Sequence, residues 1–342
     1  MTTLTHARTR HTVHLPTEGP RKIVSAVLVL LGAAVLVLTA MNNLFKVGPS
    51  FERLTDGFRP QMTSSAIATT RADVSGLGAA GTELQTTLMP AMAQQLGMTP
   101  SQFAAYVATT FPQVSAGMQQ LPQIVTTFDG LTTTLDQQRP LFRSADAIPT
   151  KSLPATTVPW AFAGAGALLI ACGALVFLRP RAGAVVAVGL GALLVAAPLA
   201  MSLPQKADNA DRMNSNLKPV YTAQLVTQAE AALGTVSAMG TQLQSQMLPA
   251  LAAKLHLTPA ATQQMLAAQF PATAKALADL PAAMPRFQAT VGTFKAHLGD
   301  YRTLKPVQLQ PLVLFLIGAA GLTLLLGATT LLWPRHEAVT IS

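Results

Sequence analysis

Histidine side chains could bind a metal ion or transfer a proton, but in this sequence they are isolated. His6, His11 and His14 lie in a basic N-terminal segment, where a solvated tail is favoured over a metal cluster. We interpret His256 and His297 as single surface histidines, without a carboxylate or cysteine neighbour at ligand spacing. The histidines therefore predict no metal site.

Carboxylate and thiol groups add little chemistry. Asp208 and Asp211 are interpreted as solvated charges at the start of a helix, and Cys172 is the only cysteine. Three other aspartates are too far apart in sequence to form a catalytic pair: Asp129, Asp136 and Asp146. The chain has no Gly-rich phosphate loop, nucleophilic serine elbow or His-Glu-x-x-His motif. We predict that it is not an enzyme and has no catalytic, cofactor-binding or metal-ligating residues and no cofactor.

The elements that would position any site are mainly apolar. Of the 342 residues 50% are hydrophobic and 11% are charged, against about 25% charged in ordinary globular domains. Four runs without a charged residue or histidine are long enough to cross a membrane, which takes about 20 residues. They cover residues 23–41, 158–178, 182–203 and 312–333. The sequence thus predicts an all-α integral membrane protein with four transmembrane helices.

The distribution of Lys and Arg predicts the orientation of these helices. Seven of these residues lie in three short segments, the basic tail 1–22, the turn 179–181 and the tail 334–342. Basic residues in short loops mark the cytoplasmic side. We therefore expect both termini to be cytoplasmic and segments 42–157 and 204–311 to be extracytoplasmic in a cell (inner or plasma) membrane. For residues 23–41 an uncleaved anchor is favoured over a cleaved signal peptide.

The net charge of +9 has the same explanation. A basic balance can indicate nucleic-acid binding, but here it follows from topology, with some attraction to anionic membrane lipids. We expect membrane lipids as partners and no nucleic acid. The richness in Ala and Thr, with few Lys, is typical of a high-GC bacterium.

An internal repeat organises the chain. Residues 96–112 and 255–271 share a leading Leu, a Thr-Pro pair and a closing Phe-Pro in the same register. Further matches at the same offset extend from the first span through the following loop, and near the ends the offset becomes slightly shorter. The pattern predicts two tandem repeats of span, loop and span, related by an axis along the membrane normal.

The two long loops have a helical composition. Thr99 and Thr258 are placed to cap a short helix, and the prolines that follow them suit its first turn. Pro112 and Pro271 should end that helix, and Pro122 and Pro281 should end a third one in the same way. Each repeat is thus expected to carry an extracytoplasmic helical lobe. Whether each lobe packs against the other or closes by itself stays open.

Small residues recur every four positions in the second and third spans. Such rows allow helix backbones to approach closely, although Ala-rich helices often show them by chance. The candidate packing residues are Ala163, Ala167, Ala171, Gly183, Ala187 and Gly191.

Aromatic and methionine residues of the loops give a second candidate set. Flexible thioethers suit surfaces that accept varied apolar ligands, but they also suit ordinary cores, and for the methionines in general the core interpretation is favoured. The candidate lobe surface for a protein partner or lipid comprises Phe111, Met118, Phe128, Phe270, Met284 and Phe287.

These features narrow the function classes. The spans lack the ionisable groups that ion-coupled transporters and pumps usually need, and the short cytoplasmic segments leave no room for a sensor output domain. The sequence does not exclude a passive pore. We expect a non-enzymatic accessory or scaffold subunit whose lobes bind a protein partner, or a further copy of the chain, in cell-envelope assembly or transport. The alternative is lipid or hydrophobic-solute binding and transport by the same lobes.

Overall fold

The computed structural model describes residues 19–150 and 153–332, and this part of the chain is helical without strands. The predicted tails fall largely outside these residues, together with the three N-terminal histidines. Four helices are long and apolar enough to cross a membrane, as predicted. Large apolar side chains that are exposed lie mainly on these four helices, as expected of surfaces that face hydrocarbon.

The helices of the first half, in chain order, are α1 (Gly19–Met41), α2 (Leu44–Phe58), α3 (Ser64–Glu83), α4 (Met89–Gln95), α5 (Pro100–Thr110), α6 (Pro112–Ala145) and α7 (Thr157–Leu178). Those of the second half are α8 (Pro180–Ala200), α9 (Leu203–Leu217), α10 (Ala223–Gln242), α11 (Leu248–Lys254), α12 (Pro259–Gln269), α13 (Pro271–Ala296), α14 (Leu298–Leu304) and α15 (Leu309–Leu332). The candidate spans are α1, α7, α8 and α15. Between the spans, the offset that relates residue 96 to residue 255 also relates the starts of α2 to α6 to those of α9 to α13.

Local signals define the short helices α5 and α12. The Thr99 hydroxyl accepts from the Gln102 N–H at 3.3 Å, and the Thr258 hydroxyl accepts from the Ala261 N–H at 3.2 Å. Pro112 and Pro271 begin the next helices, α6 and α13, after a phenylalanine with non-helical backbone angles. The predicted caps and breaks are confirmed at these positions.

The prediction that Pro122 and Pro281 end a helix is wrong, since α6 and α13 run through both prolines. A proline inside a helix leaves the carbonyl four residues earlier without its N–H donor. In α6 that carbonyl is Met118 O, and it accepts from Gln85 Nε2 at 2.8 Å. In α13 it is Leu277 O, which accepts from Gln244 Nε2 at 3.1 Å. A glutamine at equivalent positions in each half thus replaces the missing donor, and the helix continues.

A π-helical turn precedes α4 and α11, at Leu84–Leu88 and Leu243–Met247. In each turn the N–H that follows it bonds to the carbonyl five residues earlier, from Met89 to Leu84 and from Leu248 to Leu243. Pro90 and Pro249 come directly afterwards and cannot donate to the preceding turn. The wider turn accommodates these prolines within a continuous helical path.

The chain forms two compact units. Among the described residues, the span unit comprises 19–45, 157–204 and 311–332, and the loop unit comprises 46–150, 153–156 and 205–310. Both long connecting segments therefore belong to one unit. Within it α3 and α10 each pack against both α6 and α13, so helices of the two segments cover each other's apolar faces.

In the span unit α1 packs closely against α7. A Cβ atom at Gly32 would lie 2.5 Å from the carbonyl oxygen of Gly166, so this crossing requires glycine. Ser25 Oγ donates to Gly173 O at 2.8 Å across the same interface. The backbones of α1 and α7 are therefore in direct contact.

Of the two predicted packing rows, the one on α8 is buried and the one on α7 is not. Gly183, Ala187 and Gly191 are buried, whereas Ala163 is half-buried and Ala167 and Ala171 are exposed. Gly183 lies against α7, but Gly191 lies against Leu324 of α15. On α7 the packed row is that of Gly166 and Gly173, because glycine permits a closer backbone approach than the alanine row.

Candidate functional site

An apolar cavity of about 230 Å³ lies inside the loop unit, among α3, α6, α10 and α13. Its main walls are residues at equivalent positions of the two segments, related by the offset of the sequence repeat. The pairs are Val74 with Leu233, Leu77 with Val236, Ile124 with Ala283, Val125 with Met284, and Phe128 with Phe287. The ring centroids of the last pair are 5.1 Å apart. The cavity therefore lies where corresponding faces of the two segments meet.

Apolar spacing along the helices positions these walls. Val74 and Leu77 are three residues apart on α3, and Ile124 and Phe128 are four apart on α6, so each pair shares one helix face. The walls are not symmetric, because Ala283 stands where the other segment has Ile124. The missing side-chain volume lies on the α13 side of the cavity.

Charged residues at the edge of the cavity are already paired. Arg286 binds Asp73 with two hydrogen bonds of 2.8 and 2.9 Å, and the Asp73 side chain is only 11% exposed. Lys275 binds Asp279 one helical turn away, and this hydrogen bond raises the pKa of the lysine. Asp73, Lys275 and Asp279 are the ionisable groups among the described lining residues. The cavity thus has apolar walls and an electrically balanced edge.

A smaller cavity of about 30 Å³ adjoins the first and shares Leu77, Val236 and Leu280 with it. Thr273 lines this smaller space and is 2% exposed. Its hydroxyl has no hydrogen-bond partner among the described residues. Thr273 is the third residue of α13, so its own helix offers no carbonyl four residues earlier. The equivalent position of the first segment is the buried Val114.

Two side chains bind the helix starts of the opposite segment. The Glu83 carboxylate accepts from the N–H groups of Ala272 and Thr273 at 3.3 and 2.6 Å, at the start of α13. At the equivalent place Gln242 Oε1 accepts from Gln113 and Val114 at 2.9 and 3.1 Å, at the start of α6. Free N–H groups at a helix start need such acceptors. The reciprocal caps thus link the two segments at two equivalent places.

Each segment also carries an open groove, of about 550 Å³ in the first and 610 Å³ in the second. The grooves are equivalent, since Gln85, Pro90 and Pro100 in one correspond to Gln244, Pro249 and Pro259 in the other. None of the described lining residues is ionisable. We call them the twin grooves.

The candidate lobe surface of the sequence analysis is mostly interior. Phe111, Phe128, Phe270, Met284 and Phe287 are buried, and Met118 is half-buried in the first of the twin grooves. These five side chains are therefore interior and not exposed as predicted, and Phe128 and Phe287 from the two segments pack on each other. Three of them, Phe128, Met284 and Phe287, border the cavity, while Phe111 and Phe270 belong to the core near α5 and α12.

The sequence analysis did not predict the polar cluster around His297. His297, taken as a single surface histidine, is 18% exposed, and its Nδ1 lies 3.0 Å from Asp300 Oδ2. Arg53 also donates to Asp300, at 2.6 Å. Burial opposes ionisation of Asp300, but the hydrogen bonds from Arg53 and His297 outweigh it and hold the pKa of this carboxyl below its usual range. The spacing of three residues between His297 and Asp300 was the available signal.

An aromatic group lies beside this cluster. Tyr221 stacks on Tyr301 with ring centroids 4.4 Å apart, and Phe58 packs edge-on to Phe294. Burial, with Asp300 and Tyr301 as lesser causes, raises the pKa of Tyr221, and burial raises the pKa of Tyr301 to about 12. Both phenols therefore stay neutral at physiological pH.

Other aspartates have structural partners. Asp211, interpreted as a solvated charge, is half-buried and accepts from the N–H groups of Leu309 and Gln310 at 2.8 and 2.9 Å, at the start of α15. Asp136 and Asp146 bind arginines. In the described part of the chain, no three His, Cys, Asp or Glu side chains converge as a metal site would require.

Comparisons with protein-family models, curated proteins and solved structures find no match to this chain. Its class is therefore defined by the fold: an all-α protein with four helices able to cross a membrane.

Proposed function

We propose that this chain is a non-enzymatic multipass membrane protein whose loop unit binds a lipid or another hydrophobic solute. The observation that carries this proposal is the apolar cavity between α3, α6, α10 and α13, with a volume of about 230 Å³. An engineered apolar cavity of about 150 Å³ already binds benzene. A small apolar molecule, or one end of a longer chain, fits the available space.

The repeated architecture supports a gene duplication of a span–loop–span unit. Helix starts repeat at one constant offset, and so do the glutamine–proline contacts and the reciprocal caps. Since each unit has two spans, both units enter the membrane in the same direction. The cavity is then a product of duplication, formed where two equivalent faces meet and differ in side-chain size.

The distribution of basic residues supports a loop unit outside the cytoplasm of a bacterial cell. This orientation would place the cavity in the cell envelope, where hydrophobic solutes need protein carriers or binding sites. A cysteine at exposed Ala282, in a Cys172→Ser background, should react with an impermeant maleimide in intact cells. Labelling only after permeabilisation would contradict this orientation.

The ligand hypothesis is tested by filling the cavity. Ala283→Ile introduces at the buried α13 position the residue that α6 has at the equivalent place. We expect native mass spectrometry of gently purified protein to show a retained hydrophobic molecule that is reduced in Ala283→Ile. Ala282→Ile is the matched control, because the same change is made on an exposed neighbouring position. The hypothesis is rejected if the protein retains no more hydrophobic molecule than a detergent-washed control.

A second candidate function is that of an accessory or scaffold subunit in envelope assembly or transport, and the twin grooves favour it. Two equivalent uncharged grooves suit two copies of one protein element, from another protein or from a second copy of this chain. A photo-crosslinker at Gln119 or Ala278, equivalent exposed positions of the grooves, should then capture one specific protein from native membranes. Absence of a stoichiometric adduct at both positions would contradict it.

A further inference from the structure

Thr273 is the single place near the cavity where a buried polar atom lacks a partner among the described residues. Its side chain is 2% exposed, and its backbone N–H donates to the Glu83 carboxylate, which leaves the hydroxyl unpaired in the described part of the chain. A buried hydroxyl without a hydrogen bond is costly, and most such groups in folded proteins have a partner. An oxygen atom of a ligand could satisfy this hydroxyl.

The Thr273 side chain lines an otherwise apolar space. The space that Thr273 lines is bounded otherwise by apolar side chains and glycines, including Leu84, Leu121 and Met239. It shares its walls Leu77, Val236 and Leu280 with the larger cavity. A ligand that fills both spaces therefore meets apolar atoms along its length and one hydroxyl at its end.

Charge complementarity defines the rest of the ligand. Asp73 is bound to Arg286, and Lys275 is bound to Asp279. A charged head group would have to break one of these pairs to find a counter-ion. An uncharged molecule leaves both pairs intact.

We infer that the cavity binds an uncharged, mainly hydrocarbon molecule with one hydrogen-bonding oxygen, of the fatty-alcohol class, whose oxygen pairs with the Thr273 hydroxyl. This inference rests on the proposed function and specifies its ligand. It also explains the difference between the segments at this position: Val114, which has no hydroxyl, could not fix the orientation of such a molecule, whereas Thr273 can.

The test compares two probes that differ in the oxygen alone. The full chain in lipid nanodiscs is titrated with 1-octanol and with n-nonane, which has the same number of non-hydrogen atoms. Binding is followed by the ¹³C-methyl NMR signal of Met284, which borders the cavity beside Phe128 and Phe287 and is assigned with Met284→Leu. We expect saturable binding of both probes and tighter binding of octanol.

Thr273→Val removes the hydroxyl with almost no change of shape. We expect it to weaken octanol binding about fivefold, the effect of one neutral hydrogen bond, and to leave nonane binding within about twofold. Thr273→Ser keeps the hydroxyl and should keep the preference for octanol. Ala283→Ile should weaken both probes, while Ala282→Ile should change neither.

The outcomes separate this inference from the proposed function. Equal binding of both probes, unaffected by Thr273→Val, would overturn the pairing with Thr273 and leave hydrophobic binding in the cavity intact. If the Met284 signal shows no saturable change while mass spectrometry still shows a retained lipid, the cavity is not the binding site. If neither probe binds and no lipid is retained, both proposals are overturned.

Discussion

At the scale of single residues, the two segments differ at two buried positions that border the cavities. The positions of Val114 and Thr273 are equivalent and both buried, but only the second carries a hydroxyl, which has no partner in the described structure. Ile124 and Ala283 are also equivalent positions, and they differ in side-chain volume. Both differences concern α13 and the cavity it borders. Equivalent residues elsewhere, such as Gln85 and Gln244, make the same contact in each half.

Thr273→Val should stabilise the ligand-free protein. Removing an unsatisfied buried hydroxyl without changing shape is expected to gain about 1–3 kcal/mol, which raises the Tm measured by circular dichroism. The mirror variant Val114→Thr places an additional hydroxyl in a buried site and should lower the Tm. Equal Tm values for Thr273→Val and the wild type would show that the hydroxyl is already satisfied.

Asp300 should make stability depend on acid pH. Its folded pKa lies below the usual value of about 3.9 for aspartate, because the hydrogen bonds from Arg53 and His297 outweigh the effect of burial. The stabilisation is therefore complete above the unfolded pKa and is lost as pH falls through the folded pKa.

The variant Asp300→Asn should lower the Tm at neutral pH and reduce the further loss of Tm on acidification to about pH 3. Asp136, a more exposed carboxylate paired with Arg71, provides the control, since Asp136→Asn should have a much smaller effect. An acid dependence that is unchanged in Asp300→Asn would refute this assignment.

At the scale of secondary-structure elements, side chains of one element complete the hydrogen bonding of another. Gln85 and Gln244 supply the donors that Pro122 and Pro281 lack. Glu83 and Gln242 supply acceptors at the helix starts of the opposite segment. Helix continuity and helix starts in the loop unit thus depend on residues distant in sequence.

The glutamine–proline contacts can be tested singly. Gln85→Ala leaves Met118 O without a donor, and we expect a loss of about 1 kcal/mol in unfolding free energy. Gln94→Ala, at an exposed position of α4, is the control. If the contact matters because of Pro122, then Gln85→Ala should cost clearly less in a Pro122→Ala background, where the backbone N–H returns. Equal costs in both backgrounds would argue against this role.

The reciprocal caps predict a graded effect. Glu83→Gln keeps an acceptor for the N–H groups of Ala272 and Thr273, as Gln242 does for the other segment. Glu83→Ala removes the acceptor and should cost about 1 kcal/mol, as for other helix caps, measured as a lower Tm. A loss in Glu83→Gln as large as in Glu83→Ala would mean that the carboxylate charge, and not the cap, is what stabilises the start of α13.

At the scale of the whole molecule, the loop unit is shared between the two halves of the chain. α3 and α6 come from one half and α10 and α13 from the other, and the apolar faces of each pair are covered by the other pair. Burial of such faces is the main favourable contribution to folding. Because α3 packs on α13 and α10 packs on α6, each half covers apolar surface of the other, and we expect the halves to fold together.

Splitting the chain between Arg179 and Pro180 tests this dependence. The halves 1–179 and 180–342, co-expressed with a tag on only one, should co-purify as a folded complex with helical content close to that of the intact protein. Either half alone should aggregate or be degraded. A single half that purifies in detergent without aggregation and unfolds cooperatively would show that each lobe closes by itself.

The sequence by itself determined features whose physical cause is local. Uncharged runs of sufficient length define the spans, because charge in hydrocarbon is costly over any such stretch. Thr99 and Thr258 define helix starts, since a cap acts on N–H groups two or three residues away. Accordingly, α1 and α7 contain the whole of the uncharged runs 23–41 and 158–178.

Only the tertiary structure decided which neighbour each apolar face and each proline meets. Periodicity shows that Phe128 and Phe287 lie on apolar stripes, but whether a stripe faces solvent, a ligand or another helix depends on the segment that packs on it. Pro122 continues a helix because Gln85, from a different helical segment much earlier in the chain, donates to Met118 O. The cavity, too, exists only where the two segments come together, because helices from both segments supply its walls.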